Sequence, residues 1–244
     1  MFPSTFRTPT LTAPQVLHLH GGAFVIGAPP GGSRVAALLK QAGACVHSFD
    51  YPLAPAHPFP QAVESAYAVL AGMQPKRRCG PLFVAGEEAG GNLAAALALM
   101  ARDRGGPMLA GQILLSPMLD VCVATASLRD ARAGPVGCRW ADGWRKYLPR
   151  ASDATHPYAT PGSAMRLAGL PRTLLLTSQD DPLRDETRAY AQRLRDEGVP
   201  VDELVLPFAT GFPVAYRESG NEAPWAEALR EPLRRFLNQD PCQP

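Results

Sequence analysis

Apolar residues recur along the chain with two periods, near two in short stretches and near 3.6 in longer ones, and the two kinds of stretch take turns. Gln15–His20 alternates as a strand and ends at a glycine pair; Ser33 then stands where a side-chain oxygen caps a helix over Arg34–Gln41. The spacing predicts a strand at Ala44–Phe49, a helix at Ala62–Ala71, a buried strand at Pro81–Ala85 and a strongly apolar helix at Ala89–Arg102. Strands follow at Gln112–Leu115, Thr173–Ser178 and Val201–Leu206, with helices at Arg184–Glu197 and about Ala223–Leu237. Such alternation needs crossovers that return each strand parallel to the last, with helices covering both faces of the sheet. The expected class is α/β, with a mostly parallel, doubly wound sheet in a single domain over residues 1–244.

The alternation breaks between Asp120 and Leu170, where Trp140, Trp144 and Tyr147 are spaced about one helical turn apart. An insertion at about 121–169, beyond the carboxyl ends of the strands, suits a small helical lid over a ligand crevice; a packing or interface helix fits the pattern equally well. Charge narrows the partners. With 24 basic and 22 acidic residues, no whole-molecule field draws the chain to nucleic acid or anionic lipid. No apolar leader opens the sequence, and the longest apolar run, Leu93–Ala101, is far short of a membrane span. A cytoplasmic location is expected. The five cysteines form no CxxC pair, which argues against a zinc cage or a disulfide framework and for small buried hydrophobes in a reducing compartment. No metal or redox cofactor is implied.

Three segments carry more chemistry than the periodicity does: His20-Gly21-Gly22-Ala23-Phe24 after the first strand, Gly86-Glu87-Glu88-Ala89-Gly90-Gly91 between a strand and a helix, and Asp181-Pro182-Leu183 after a late strand. Together with Asp50-Tyr51-Pro52-Leu53-Ala54-Pro55-Ala56-His57-Pro58-Phe59-Pro60, they make the sequence resemble the hormone-sensitive-lipase-like carboxylesterase family of α/β-hydrolases, in order and spacing, over about Val16–Leu237. The resemblance implies an oxyanion hole from the N–H groups of Gly21, Gly22 and Ala89, with His20 orienting the first loop. It also implies a strained strand-to-helix elbow, flanked by Gly86 and Gly90 because neighbouring backbone leaves no room for a Cβ.

Two departures stand out. The family's nucleophilic serine falls on Glu88, and its histidine, aligned in Thr210-Gly211-Phe212, falls on Thr210. The acid position is Asp181, and all five histidines precede it, so no Ser…Asp…His order can be assembled. His18 and His47 are expected to be satisfied core residues, His57 structural, and His156 no replacement base. Glu87 is expected to keep a structural role, and Asp181, lacking an imidazole, to meet an arginine such as Arg184 or Arg188, or water. Only about fifteen residues precede the first strand, where the family has several tens, which predicts a shallower crevice and an exposed sheet edge that invites a homodimer.

A serine hydrolase needs an activated nucleophile, a base and an oxyanion hole, and only the last is encoded. A Glu88 ester intermediate would have no imidazole to activate water for its release. Three readings remain: a degenerate site that binds a small carbonyl or carboxylate ligand, with Glu88 folded into its own N–H cradle; an isomerase or lyase using Glu88 as general base; and a weak or unusual ester hydrolase.

Overall fold

The computed structural model describes residues 13–73, 80–130, 134–217 and 223–239. Its elements run β1 (Gln15–Leu19), α1 (Arg34–Gln41), β2 (Cys45–Phe49), α2 (Gln61–Gly72), β3 (Leu82–Glu87), α3 (Ala89–Asp103), β4 (Gly111–Leu115), α4 (Ala126–Arg129), α5 (Gly134–Tyr147), β5 (Thr173–Ser178), α6 (Arg184–Asp196), β6 (Val201–Leu206) and α7 (Pro224–Asn238). The strands form one six-stranded sheet in the order β2-β1-β3-β4-β5-β6, every pair parallel.

The predicted elements are all present, displaced by at most two residues at their ends. Ser33 caps α1 as its position suggested, its hydroxyl accepting from the N–H groups of Val35 and Ala36. The period of two decides which helix covers which face. Leu17, Val84, Leu114 and Leu175 pack beneath α2, α3, α5 and α6, whereas Val16, Phe83, Ile113 and Leu174 pack on the opposite face against α1 and α7. Helix α3 is buried continuously from Ala89 to Ala101, so it carries small and apolar residues all round rather than an apolar stripe.

Two expectations fail at the sheet edge. His47 is exposed, and so are Cys45 and Cys122, the two cysteines whose side chains are described. The reason for the first pair is topological: β2 is outermost, with β1 on one side and no described strand on the other. Cys79, Cys242 and the side chain of Cys138 lie outside the described residues. No described helix is long and apolar enough to cross a membrane.

Candidate functional site

The site forms where β1 and β3 end side by side. After β1 the chain turns through His20-Gly21-Gly22, with Gly22 at φ +133, where a Cβ would stand 2.1 Å from the Ile26 carbonyl oxygen. After β3 it turns sharply at Glu88, φ 55 and ψ −119, straight into α3. That turn leaves no space: a Cβ on Gly86 would meet the Gly90 carbonyl at 2.2 Å, and one on Gly90 the Leu19 carbonyl at 2.0 Å. A non-glycine residue at positive φ is strained, and Glu88 is held there by backbone bonds, its N–H donating to Leu115 O and its carbonyl accepting from the Met118 N–H.

The two adjacent glutamates have opposite surroundings. Glu87 is bound as an anion: Oε2 lies 2.8 Å from His18 Nε2, and Oε1 accepts from Ser33 Oγ at 2.8 Å and the Gly21 N–H at 3.3 Å. Burial pushes its carboxyl up, but the charge and hydrogen bond of His18, with Ser33 and Gly21, outweigh that and hold it below its ordinary value. Glu88 Oε2 accepts the Gly22 N–H at 2.8 Å and Oε1 the Trp140 indole N–H at 2.6 Å. Here burial wins and the carboxyl is raised, against the two hydrogen bonds and the more distant charges of Arg217 and Arg139.

The expected donors are thus divided: Gly22 serves Glu88, Gly21 serves Glu87, and Ala89 is buried in the first turn of α3. His20 donates from Nδ1 to the Gly21 carbonyl at 2.7 Å and stacks on Tyr51 with ring centroids 4.4 Å apart, which pins the loop. Burial lowers its basicity. His18 is a satisfied core residue, bonded to Ser48 and Glu87. His57 and His156 are exposed, on Gln61 and the Tyr158 N–H respectively. None of the five histidines bonds Glu88 or Asp181.

Asp181 does not pair with arginine. It is buried at the end of β5 and accepts from Ser116 Oγ, Thr177 Oγ1 and the Leu183 N–H, while Arg184 turns to Asp185 and Arg188 to Glu203. Desolvation favours three short local donors over a guanidinium that would itself have to be buried. Burial leaves the Asp181 carboxyl raised despite those bonds. Thr210 joins its neighbour instead: its N–H and hydroxyl bond Asp180, and its hydroxyl lies 2.7 Å from Ser178 Oγ.

Three contributors escaped the sequence reading. Trp140 belonged to the aromatic series, but nothing in its spacing marked it as a partner of Glu88, 52 residues away. Arg217 grips the first loop, donating to the carbonyls of Gly21 and Gly27 at 3.0 Å each, and no motif announces it. Tyr216 is buried with its hydroxyl 2.8 Å from Ser116 Oγ, extending the Asp181 cluster. Helix α5 brings Trp140 in by packing Trp144 and Tyr147 against Phe24, with Tyr147 stacked on it at 4.0 Å.

A model of the α/β-hydrolase fold family matches residues 16–209. The chain belongs to that family. This α/β-hydrolase is 38% identical over 208 residues to the esterase LipI of Mycobacterium tuberculosis, covering 78% of this chain and 62% of the relative. It is 33% identical to an arylesterase of Saccharolobus solfataricus, covering 76% and 63%. Among solved structures, a hyperthermophilic esterase from Pyrobaculum calidifontis matches 93% of this chain and 77% of its own, with a TM-score of 0.76 at 34% identity. A bacterial heroin esterase matches 97% and 78%, with a TM-score of 0.81 at 31% identity. The family resemblance to hormone-sensitive-lipase-like carboxylesterases therefore holds, and the α/β-hydrolase chain spans somewhat over three fifths of the length of these curated relatives.

Proposed function

We propose that this carboxylesterase-like α/β-hydrolase is a non-hydrolytic member whose site binds a small carbonyl or carboxylate ligand, with Glu88 as a built-in occupant of the oxyanion position. The observation that carries the reading is the placement of the Glu88 carboxylate, 2.8 Å from the Gly22 N–H and 2.6 Å from the Trp140 indole N–H. The Gly22 N–H, a donor that would stabilise a developing oxyanion, is spent on a carboxyl group that never leaves. Asp181 (acid position) and Thr210 (histidine position) are engaged with other groups, so no proton relay reaches residue 88. Gly22 and Trp140 are then the ligand-facing donors, Gly21, Ala89, His20, Gly86 and Gly90 their supports, and α5 with its flanking loops the cover.

The test has two readouts. Glu88→Ala should free the Gly22 and Trp140 donors, so butyrate should raise the melting temperature of the variant and leave wild type unmoved. Neither protein should hydrolyse p-nitrophenyl butyrate above background. Equal butyrate effects on both proteins, or a robust rate abolished by Glu88→Ala, would overturn the reading.

Two observations favour other chemistry. The relatives named above are esterases, which favours ester hydrolysis, and the hydrolysis assay decides it. The raised Glu88 carboxyl favours a general base beside donors for an enolate oxygen. That reading predicts α-deuterium exchange in a carbonyl compound faster with wild type than with Glu88→Ala.

A further inference from the structure

The donors around Glu88 are arranged for two oxygens rather than one. Donors that stabilise a developing oxyanion converge on a single atom. Here the Gly22 N–H meets Oε2 at 2.8 Å and the Trp140 indole N–H meets Oε1 at 2.6 Å, so the pair is divided across one carboxyl group. The floor of the cradle has the same shape. Gly21 is not among the residues at positive φ, yet a Cβ on it would stand 2.7 Å from Glu88 Oε2. Its missing side chain makes room for an oxygen.

Arg217 charges this cradle from behind. Its Nη1–H donates at 3.0 Å to the carbonyl of Gly21, which belongs to the same peptide unit as the Gly22 N–H that holds Oε2. His20 donates to that carbonyl as well, from Nδ1 at 2.7 Å. Hydrogen bonds in series polarise one another, so a guanidinium on the carbonyl end of a peptide makes its N–H end a stronger donor to an anion. A second bond, from Nη2 to the Gly27 carbonyl at 3.0 Å, fixes the guanidinium against the loop, and a Cβ on Gly22 would lie only 3.1 Å from Nη1. Arginine stays protonated, and this charge reaches the Glu88 carboxyl, pulling it down against the burial that raises it. The adjacent Glu87 has His18, Ser33 and Gly21 as partners of its own.

We propose that the site selects carboxylates over neutral carbonyl compounds, each ligand oxygen taking one of the Gly22 and Trp140 N–H groups while Arg217 supplies the counter-charge through the Gly21–Gly22 peptide. The inference rests on the reading of Glu88 as a built-in occupant and deepens it: the glutamate side chain is the template of the ligand class it excludes. A ketone gives the two donors one oxygen to share and leaves a methyl group against the other. A primary amide turns its own NH₂ towards a donor. A carboxylate satisfies both.

The experiment uses the void that Glu88→Ala creates. The atoms removed, one methylene and the carboxyl group, have the size of acetate, and acetamide and acetone share that shape while lacking the charge and the second oxygen. Thermal-shift titrations of the full chain carrying Glu88→Ala, with sodium chloride at equal ionic strength as the reference, should give acetate an affinity about tenfold or more above either neutral isostere. Adding Arg217→Gln should cut the acetate affinity by about tenfold and leave the two neutral compounds unchanged, and Arg217→Lys, which keeps the charge, should recover the preference for acetate. A merely structural Arg217 would weaken all three together. Should Glu88→Ala fail to fold, Glu88→Gly relieves the positive φ at that residue, and its larger void takes propionate, propionamide and butanone in the same series. Equal affinities for the three isosteres, or an equal loss of all three in Arg217→Gln, would overturn the carboxylate class and leave Glu88 as occupant. Binding of none of them would overturn both readings.

Discussion

The ends of β3 and β5 each carry a buried carboxylate at a position where the esterase resemblance places a reacting group, and they differ in what holds it. At β3 the geometry belongs to the backbone. Gly86 and Gly90 let two strands and a helix start interpenetrate to distances at which a Cβ would collide with carbonyl oxygens, so Glu88 is presented at the elbow whatever side chain it bears. At β5 the geometry belongs to side chains. Asp181 collects the hydroxyls of Ser116 and Thr177, and Thr210 bonds Asp180. A frame made of main chain survives replacement of the group it carries; a constellation made of side chains dissolves when one member is exchanged, because each freed polar group finds the nearest buried partner.

The largest effect should come from breaking the backbone frame. Gly90→Ala places a Cβ 2.0 Å from the Leu19 carbonyl oxygen and should cost about 3 kcal/mol or more in urea unfolding. A cost within 0.5 kcal/mol would mean that the elbow relaxes and that the contrast with β5 is false. Next, Asp181→Ala strands two hydroxyls and the Leu183 N–H, with an expected loss of about 2–3 kcal/mol. Because the reading gives Asp181 no part in ligand binding, butyrate stabilisation of Glu88→Ala should be unchanged when the Asp181 substitution is added.

Trp140→Phe removes one of the two donors to Glu88 and should destabilise by about 1–2 kcal/mol, while raising the Glu88 carboxyl further. The two glutamates make the finer test. The Glu87 carboxyl is lowered, so its stabilisation is present above the unfolded carboxyl value and is lost as pH falls through the folded value. The Glu88 carboxyl is raised, so its contribution is full below the unfolded value and is lost as pH rises through the folded one. Urea unfolding across pH should show Glu87→Gln flattening the acid arm and Glu88→Gln reducing the loss on the way up. The same sign for both would refute the contrast between them. The smallest effect belongs to His156→Ala, expected within about 0.5 kcal/mol because the ring is exposed, caps a local turn and only edges the rings of Phe59 and Tyr158.

Much of this molecule was legible in its sequence. Ser33 capped α1 and the two hydrophobic periods placed the strands and helices, because each of these depends on residues within a few positions of one another. The surroundings of His47 and Asp181 were not legible. His47 sits in an apolar-looking strand whose exposure follows from its place at the end of the described sheet order, and Asp181 is joined by the Ser116 hydroxyl from 65 residues away rather than by the arginines beside it in sequence.

The sequence by itself determined the α/β class and the order of the elements, and it singled out Glu88 and Thr210 by resemblance. Only the tertiary structure decided that Glu88 turns into the Gly22 and Trp140 N–H groups, that Arg217 ties the first loop, and that Cys45 and His47 stand side by side on β2. The division has a physical basis. Periodicity and backbone strain are set by near neighbours, whereas the partner of a buried charge is whatever donor the packing of distant segments brings within about 3 Å.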